Sequence, residues 1–207
     1  MLPSQYHPTK PEEFIGTGPE GAATIARFLQ KMIVTARQHG NAPLRLLLAG
    51  NAGIGKSELV LFLQRELGCD QWSTTKLNGT QVKVEAVEEI AASLHFKSLF
   101  NDYRLLWIDE ADEIPRVAQV RLLTLIDDLP AGVAIVCTSN CKLKNFEERF
   151  QSRFQFFEVK APAPAEIEAL VLRFVGDKQI ASQIATFACG NVRQALRDAE
   201  GVLQQAA

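Results

Sequence analysis

The sequence predicts an α/β fold: a parallel five-stranded sheet with helices on both faces, followed by a small all-helical domain. Two observations predict the sheet. Short, nearly continuous apolar runs alternate with longer amphipathic stretches, and strands that are apolar throughout belong to parallel sheets covered on both faces. A glycine-rich turn, "GNAGIGKS", falls between the first such run and the helix after it. A third observation predicts the helical domain: beyond "KAPAPAE" the sequence keeps helical spacing with no strand signal.

Pro3, Pro8, Pro11 and Pro19 punctuate the first 20 residues, so that stretch reads as an extended arm and not a helix. From Ala22 to Gln38, Ile25, Phe28, Leu29, Met32 and Ile33 recur at helical spacing, and His39-Gly40-Asn41 supplies a stop. Strand and helix then alternate: a strand over Leu44 to Ala49, a helix over Lys56 to Leu67, a strand near Thr74 to Leu77 and a helix over Val84 to Leu99. A strand over Arg104 to Asp109, a helix over Val117 to Asp128, a strand over Val133 to Thr138 and a short strand over Gln155 to Val159 complete the sheet. Three helices follow, Pro164 to Val175, Lys178 to Ala188 and Val192 to Gln204. The expected domains are residues 1–161 and 162–207.

Composition narrows the partners. At 207 residues, 47% hydrophobic and 22% charged, the chain can bury a sizeable core and is not a disordered sequence. Its net charge of −2 excludes a globally basic nucleic-acid or membrane binder, so any such surface must be local. The longest apolar runs, such as "LRLLLAG" and "AIVC", fall far short of the ~20 residues of a membrane span, and the amino terminus lacks a basic-then-apolar signal. A cytoplasmic protein is expected. Cys69, Cys137, Cys141 and Cys189 form neither a CxxC zinc pair nor a disulfide framework, and read as small core hydrophobes in a reducing compartment.

The chemistry is concentrated at strand ends. Gly50 to Ser57 fits GxxxxGK[ST] at every fixed position. Glycines let backbone amides wrap a phosphate chain, the helix amino terminus favours the anion, Lys56 reaches the terminal phosphates and Ser57 ligates magnesium. The third strand ends "RLLWIDEAD", setting Asp109 and Glu110 at a carboxyl end, where α/β folds bind ligands. Asp109 suits a magnesium ion held through water, and Glu110 suits orienting and deprotonating an attacking water. The next strand closes "CTSN", with the neutral amide of Asn140 suited to the water or the γ-phosphate. "NFEERFQSRF" sets Arg149 and Arg153 four apart on one face of a short helix. A guanidinium keeps its proton and grips phosphate with a planar fork, so either suits a charge-stabilising finger. "GNVRQAL" puts Arg193 in the first turn of the last helix, where a cation opposes the helix dipole and calls for an anionic partner.

Taken together these motifs resemble the AAA+ ATPases, and within them the clamp-loader and replication-initiator branch, similar to replication factor C small subunits. The resemblance covers nearly the whole chain. "YHPTKPEEFIG" resembles the arm that packs on adenine, which implies base contacts from Tyr6 and Ile15. Gly50, Asn51, Ala52, Gly53, Ile54, Gly55, Lys56 and Ser57 resemble the Walker A motif, and "LLWIDEAD" resembles Walker B. Asn140 is similar to sensor 1, and "SRF" at Ser152 to Phe154 resembles the motif whose arginine, here Arg153, reaches a neighbour's ATP site. Arg193 is similar to sensor 2, and "KLNGTQ" resembles a segment that makes Asn78 a switch restraining Glu110. "AQVRLL" sets Gln119 in the place of a polar coupling residue.

The sequence also departs from that branch. Clamp-loader subunits usually continue into a collar, so the expected module is one lacking it. The zinc-binding cysteines of the bacterial motor subunit are absent, Leu123 and Thr124 stand where basic residues often follow, and Lys83 is one lysine on an acidic helix. The letters DEAD also occur in a helicase superfamily, whose second motor domain this sequence lacks. The resemblance implies an ATPase dependent on ATP and Mg2+, assembling with itself or with other AAA+ subunits and acting on DNA or a replication protein. Two alternatives are a nucleotide-gated scaffold in transposition or helicase loading with slow turnover, and a protein-remodelling chaperone. The second is disfavoured because "NGTQVKV" carries no aromatic pore residue.

Overall fold

The structure, a computed structural model, describes residues 2–94, 101–140, 146 and 148–205. Contacts gather the chain into two compact units. One holds the residues up to Arg27, Gly50–Leu59 and the chain from Val159 onward; the other holds Phe28–Ala49 and Val60–Glu158. Helices α1 (Ala22–Gln38) and α2 (Lys56–Leu67) contribute residues to both.

The second unit contains the sheet. Strands β1 (Leu44–Ala49), β2 (Thr74–Asn78), β3 (Arg104–Asp109), β4 (Val133–Ser139) and β5 (Gln155–Glu158) line up in the order β2-β3-β4-β1-β5. Every neighbouring pair is parallel. All seven residues of β4 are buried, as its central place demands, whereas edge strand β2 is partly or fully exposed throughout. Leu106, Ile108, Ile135 and Cys137 form one face of the sheet core with Val87 of α3 (Val84–Leu94) and Leu122 and Ile126 of α4 (Arg116–Asp127). Tyr103, fully buried ahead of β3, donates its phenol hydrogen to the carbonyl of Ala42 at 3.0 Å.

In the first unit, α6 (Pro164–Val175), α7 (Lys178–Ala188) and α8 (Val192–Gln205) form a helical trio. Its core mixes Ile167, Val171 and Ile184 with Ala181, Ala185, Ala188, Ala195 and Ala199, and the small alanines let the helices lie close. Gly176 ends α6 in the left-handed conformation (φ 70°), and Asp177 caps α7 by accepting from the amides of Gln179 at 2.7 Å and Ile180 at 3.0 Å.

The expected elements appear within a residue or two of their predicted bounds. The arm carries two single 3-10 turns, Pro3–Gln5 and Pro11–Glu13, each opened by proline. Residues 95–99 of the helix expected to reach Leu99 lie outside the described residues, as does Cys141. Two corrections arise. Arg149 is in α5 (Glu148–Gln151), but Arg153 lies past its end, because the helix stops after one turn to enter β5. Cys189 is not a core residue: it terminates α7 at φ 48° and is exposed, whereas Cys69 and Cys137 are buried. Burial pushes the Cys69 thiol up to about 11 and the Cys137 thiol higher still. No helix among the described residues is long and apolar enough to cross a membrane.

Ile135, fully buried in central strand β4, gives the direct test of this core. Ile135→Ala is expected to cost about 2–5 kcal/mol, from lost transfer energy plus a cavity between packed layers. Urea unfolding checks it as a midpoint lowered by about 1 M or more.

Candidate functional site

Each unit contributes its own set of candidate residues. In the first, the chain enters a loop at Gly50 in which Gly53 (φ 77°) and Gly55 (φ 103°) adopt conformations that favour glycine. Those turns lead into the amino end of α2. Lys56 is only 8% exposed, and its ammonium donates to the loop's own carbonyls, Gly50 at 2.7 Å and Asn51 at 2.8 Å. Ser57 follows in the first turn, half-buried.

The start of α8 packs on this loop. The backbone amide of Arg193 donates to the Gly53 carbonyl at 3.1 Å, and a Cβ on Gly53 would lie 1.9 Å from Asn191 Oδ1. Asn191 itself caps α8 by accepting from the Gln194 amide at 3.0 Å. Sequence reasoning settled on Arg193 and passed over Asn191, whose helix-capping place was the available signal.

The arm completes a cleft lined by Tyr6, Phe14, Ile15, Ile54, Leu170 and Leu196, with Glu13 and Glu58 among its polar residues. Tyr6 donates to the Glu13 carbonyl at 2.7 Å and meets Phe174 edge-on at 5.9 Å between centroids. Burial raises its phenol pKa. His7 Nδ1 lies 3.0 Å from Glu58 Oε2 on the first turn of α2. Glu166 ties the arm to α6: Oε1 accepts from the amides of Gly16 (3.2 Å) and Thr17 (2.8 Å) and from the Thr17 hydroxyl (2.8 Å), and Oε2 accepts from the Ala163 amide (2.8 Å).

In the second unit, Asp109 closes β3 and Glu110 follows at φ 55°, ψ 51°, left-handed for a non-glycine residue. The Asn78 amide donates to Glu110 Oε2 at 2.7 Å, so the anticipated partnership of these two residues is present. Asn78 Oδ1 meanwhile accepts from the Thr80 amide and hydroxyl, which fixes its orientation. Gly79 lies so close behind Glu110 that a Cβ would come within 2.1 Å of the Glu110 carbonyl oxygen. The Thr138 hydroxyl of β4 donates to Asp109 Oδ1, and Lys76 Nζ is 3.6 Å from Oδ2. Asn140 follows β4 at the same carboxyl edge, exposed, its backbone amide donating to Asp112 at 3.4 Å. Gln119 turns back on its own helix start, donating to the Ile114 carbonyl at 2.9 Å.

Arg153 is at the other edge. It stands two residues before β5, whose Gln155 pairs with Leu46, so it is level with the amino end of β1. Its guanidinium grips Asp127 at the end of α4 through two bonds of 2.7 Å, Nε to Oδ1 and Nη2 to Oδ2, and Nη1 donates to the Arg149 carbonyl at 2.7 Å. That pair holds the Asp127 carboxyl below its usual pKa. A six-residue strand spans ~20 Å, which separates Arg153 from the acids at the carboxyl edge of its own sheet.

Comparisons with known proteins bear on the family and the fold. A family model described as the ATPase family associated with various cellular activities (AAA) matches residues 46–161. The replication factor C small subunit of Methanoculleus marisnigri is 26% identical over 174 residues, covering 81% of this chain and 49% of that protein. The Holliday junction branch migration complex subunit RuvB of Mycobacterium marinum is 29% identical over 128 residues, covering 62% and 33%. The solved structure of the Thermotoga maritima RuvB branch migration motor superposes with a TM-score of 0.73 at 21% identity, over 92% of this chain and 63% of that one. The likeness to that structure is one of fold, and this chain spans half or less of the two curated relatives.

The Glu166 clasp makes the first unit sensitive to acid. Burial, the largest single influence, raises the Glu166 pKa, but the bonds from Ala163, Thr17 and Gly16 together bring it below the usual value. A lowered pKa means that the clasp contributes fully above the ordinary carboxylate value of ~4.3 and is lost as pH falls through the lower folded value. Glu166→Gln is expected to lower stability at pH 7 by about 1 kcal/mol, a modest figure because solvent reaches the site. Urea unfolding from pH 7 to 3 checks it: the gap between the two proteins should close below pH 4.

Proposed function

The chain belongs to the AAA family of ATPases, and from that premise we propose that it binds ATP with Mg2+ and hydrolyses it in an assembly of AAA+ subunits. The observation that carries this is the loop from Gly50 to Gly55 with Lys56 buried at the amino end of α2. Backbone amides and a helix amino terminus suit a polyphosphate, and the cleft beside Tyr6 and Ile15 suits a flat apolar base. Asn51, Ala52 and Ile54 fill the loop between the glycines.

The donor set fits magnesium. Among the described residues no group of three or more His, Cys, Asp or Glu side chains could cage a metal. A magnesium ion characteristically takes one or two protein oxygens and completes its shell with phosphates and water. Ser57 and Asp109 would supply those oxygens, and the ion would neutralise charge on the phosphates. Glu110 would orient and deprotonate the attacking water, and Asn140 would hold that water or the γ-phosphate. Asn78 would keep Glu110 back until assembly, and Arg193 would serve the chain's own nucleotide. Arg153 would serve a neighbour's, an assignment supported by its place at the far edge of the sheet; Arg149 is the next candidate.

The same proposal divides the chain into a nucleotide-binding domain over residues 1–161 and a lid over residues 162–207. Its wider role is clamp-loader-like or initiator-like, acting on DNA or a replication protein, as the names of the replication factor C and RuvB relatives suggest. With a net charge of −2, DNA binding would draw on assembly that multiplies a few phosphate contacts per subunit. A second reading is a nucleotide-gated scaffold in transposition or helicase loading, favoured by the Asn78 bond that occupies Glu110.

Calorimetry separates the two ends of the site. Lys56→Ala is expected to weaken ATP binding more than tenfold, because Lys56 meets phosphate in the ground state. Glu110→Gln should keep affinity within about threefold and lower turnover ~10²-fold or more, because Glu110 acts on the water in the transition state. Equal loss of affinity in both variants contradicts the assignment.

A further inference from the structure

Lys76 opens the "KLNGTQ" segment, where only Asn78 was given a role, yet its ammonium stands beside a carboxylate oxygen of Asp109 at the acidic edge. It lies on edge strand β2, paired with Trp107 of β3, as Asn78 is paired with Asp109. Side chains alternate across a sheet, so Lys76, Trp107 and Asp109 share a face, opposite the one on which Leu106 and Ile108 join the core with Leu77. The Lys76 ammonium stands 3.6 Å above the centroid of the Trp107 ring and 3.6 Å from Asp109 Oδ2. Trp107 is 4% exposed, and its indole N–H has no hydrogen-bond partner among the described residues. The two carboxylate oxygens of Asp109 are thus treated differently: Oδ1 takes a neutral hydroxyl from Thr138, and Oδ2 faces a cation.

We propose that Lys76 is a resident counter-cation of Asp109, one that must withdraw from Oδ2 before a divalent ion can be held there, and so sets the metal affinity of the site. This rests on the reading of Asp109 as the magnesium-side acid. Two cations cannot share one carboxylate oxygen at close range without repulsion, whether the divalent ion binds directly or through a water. The same ammonium contacts the indole face and Oδ2 together, so withdrawal from the carboxylate takes it off the ring as well. Because the Lys76 side chain is 51% exposed, it can swing into water at little cost. Nucleotide arriving without metal leaves Lys76 in place; nucleotide arriving with metal displaces it, and Trp107 loses the ammonium from its face.

The sequence holds two tryptophans, Trp72 and Trp107. Trp72 is 83% exposed, so Trp72→Phe leaves Trp107 as the single reporter. In that background, with ADP saturating, Mn2+ is titrated and free ion is counted by electron paramagnetic resonance against a nucleotide blank, while Trp107 emission is followed in parallel. Lys76→Met is expected to bind Mn2+ about fivefold more tightly at low salt, the ratio shrinking as salt screens the pair. It should also abolish the emission change that metal causes in the parent. Lys76→Arg, which keeps a cation over the ring, should keep both parental behaviours, an outcome that a purely structural role for Lys76 does not give. Unchanged Mn2+ affinity in Lys76→Met, or parental Trp107 emission indifferent to metal, overturns the inference while leaving the nucleotide site intact. Failure of the parent to bind ADP overturns both.

Discussion

All five strands run in one direction, and a parallel sheet has two chemically different edges. At the carboxyl edge the chain leaves β3 through Asp109 and Glu110, leaves β4 toward Asn140, and leaves β1 for the loop that begins at Gly50. At the amino edge it enters β5 two residues after Arg153 and enters β4 six residues beyond Asp127. The ~20 Å of strand between those edges is a fixed spacer. The acids and Arg153 therefore stand apart within one sheet, which is why, on the proposed function, Arg153 would serve the nucleotide of another copy or another subunit. The bidentate grip of Asp127 on Arg153 holds the guanidinium at that amino edge.

Local contacts at the carboxyl edge are arranged in pairs that restrain the two acids. Glu110 is in a left-handed backbone conformation, closely backed by Gly79, and its side chain accepts from Asn78. Asp109 is shared between Thr138 and Lys76. In the other unit Lys56 is folded onto the carbonyls of its own loop, and the amide of Arg193 and the side chain of Asn191 press on Gly53. On the proposed function these are groups whose present partners a nucleotide and its metal would replace.

The sheet was legible because its inner strands are apolar on both faces, and the glycine-rich loop because its glycines stand at an independently expected strand-to-helix junction. The pairing of Asn78 with Glu110 was legible only through resemblance, since the two are 32 residues apart and meet through the parallel register of β2 and β3. The roles of Asp127, Glu166 and Lys76 were not legible. Each is an ordinary charged residue in the sequence, and its partner comes from a distant segment: 26 residues from Asp127 to Arg153 and 149 from Glu166 to Thr17. Lys76 looks like a solvated edge-strand lysine until strand pairing puts Trp107 beside it. Arg153 was misplaced on a helix because periodicity cannot see that α5 ends after one turn.

The central claim is that hydrolysis needs Arg153 from a different subunit than the one that binds the nucleotide. It is tested most directly by mixing Arg153→Ala subunits, which keep their phosphate loop, with Lys56→Ala subunits, which keep their arginine, and measuring ATP turnover at a concentration that permits assembly. Each variant alone should be nearly inactive, since a trans finger contributes ~10³-fold or more to the rate. The mixture should recover turnover, because one kind of mixed interface joins an intact phosphate loop to an intact Arg153. A mixture no faster than the sum of its two components would contradict the claim.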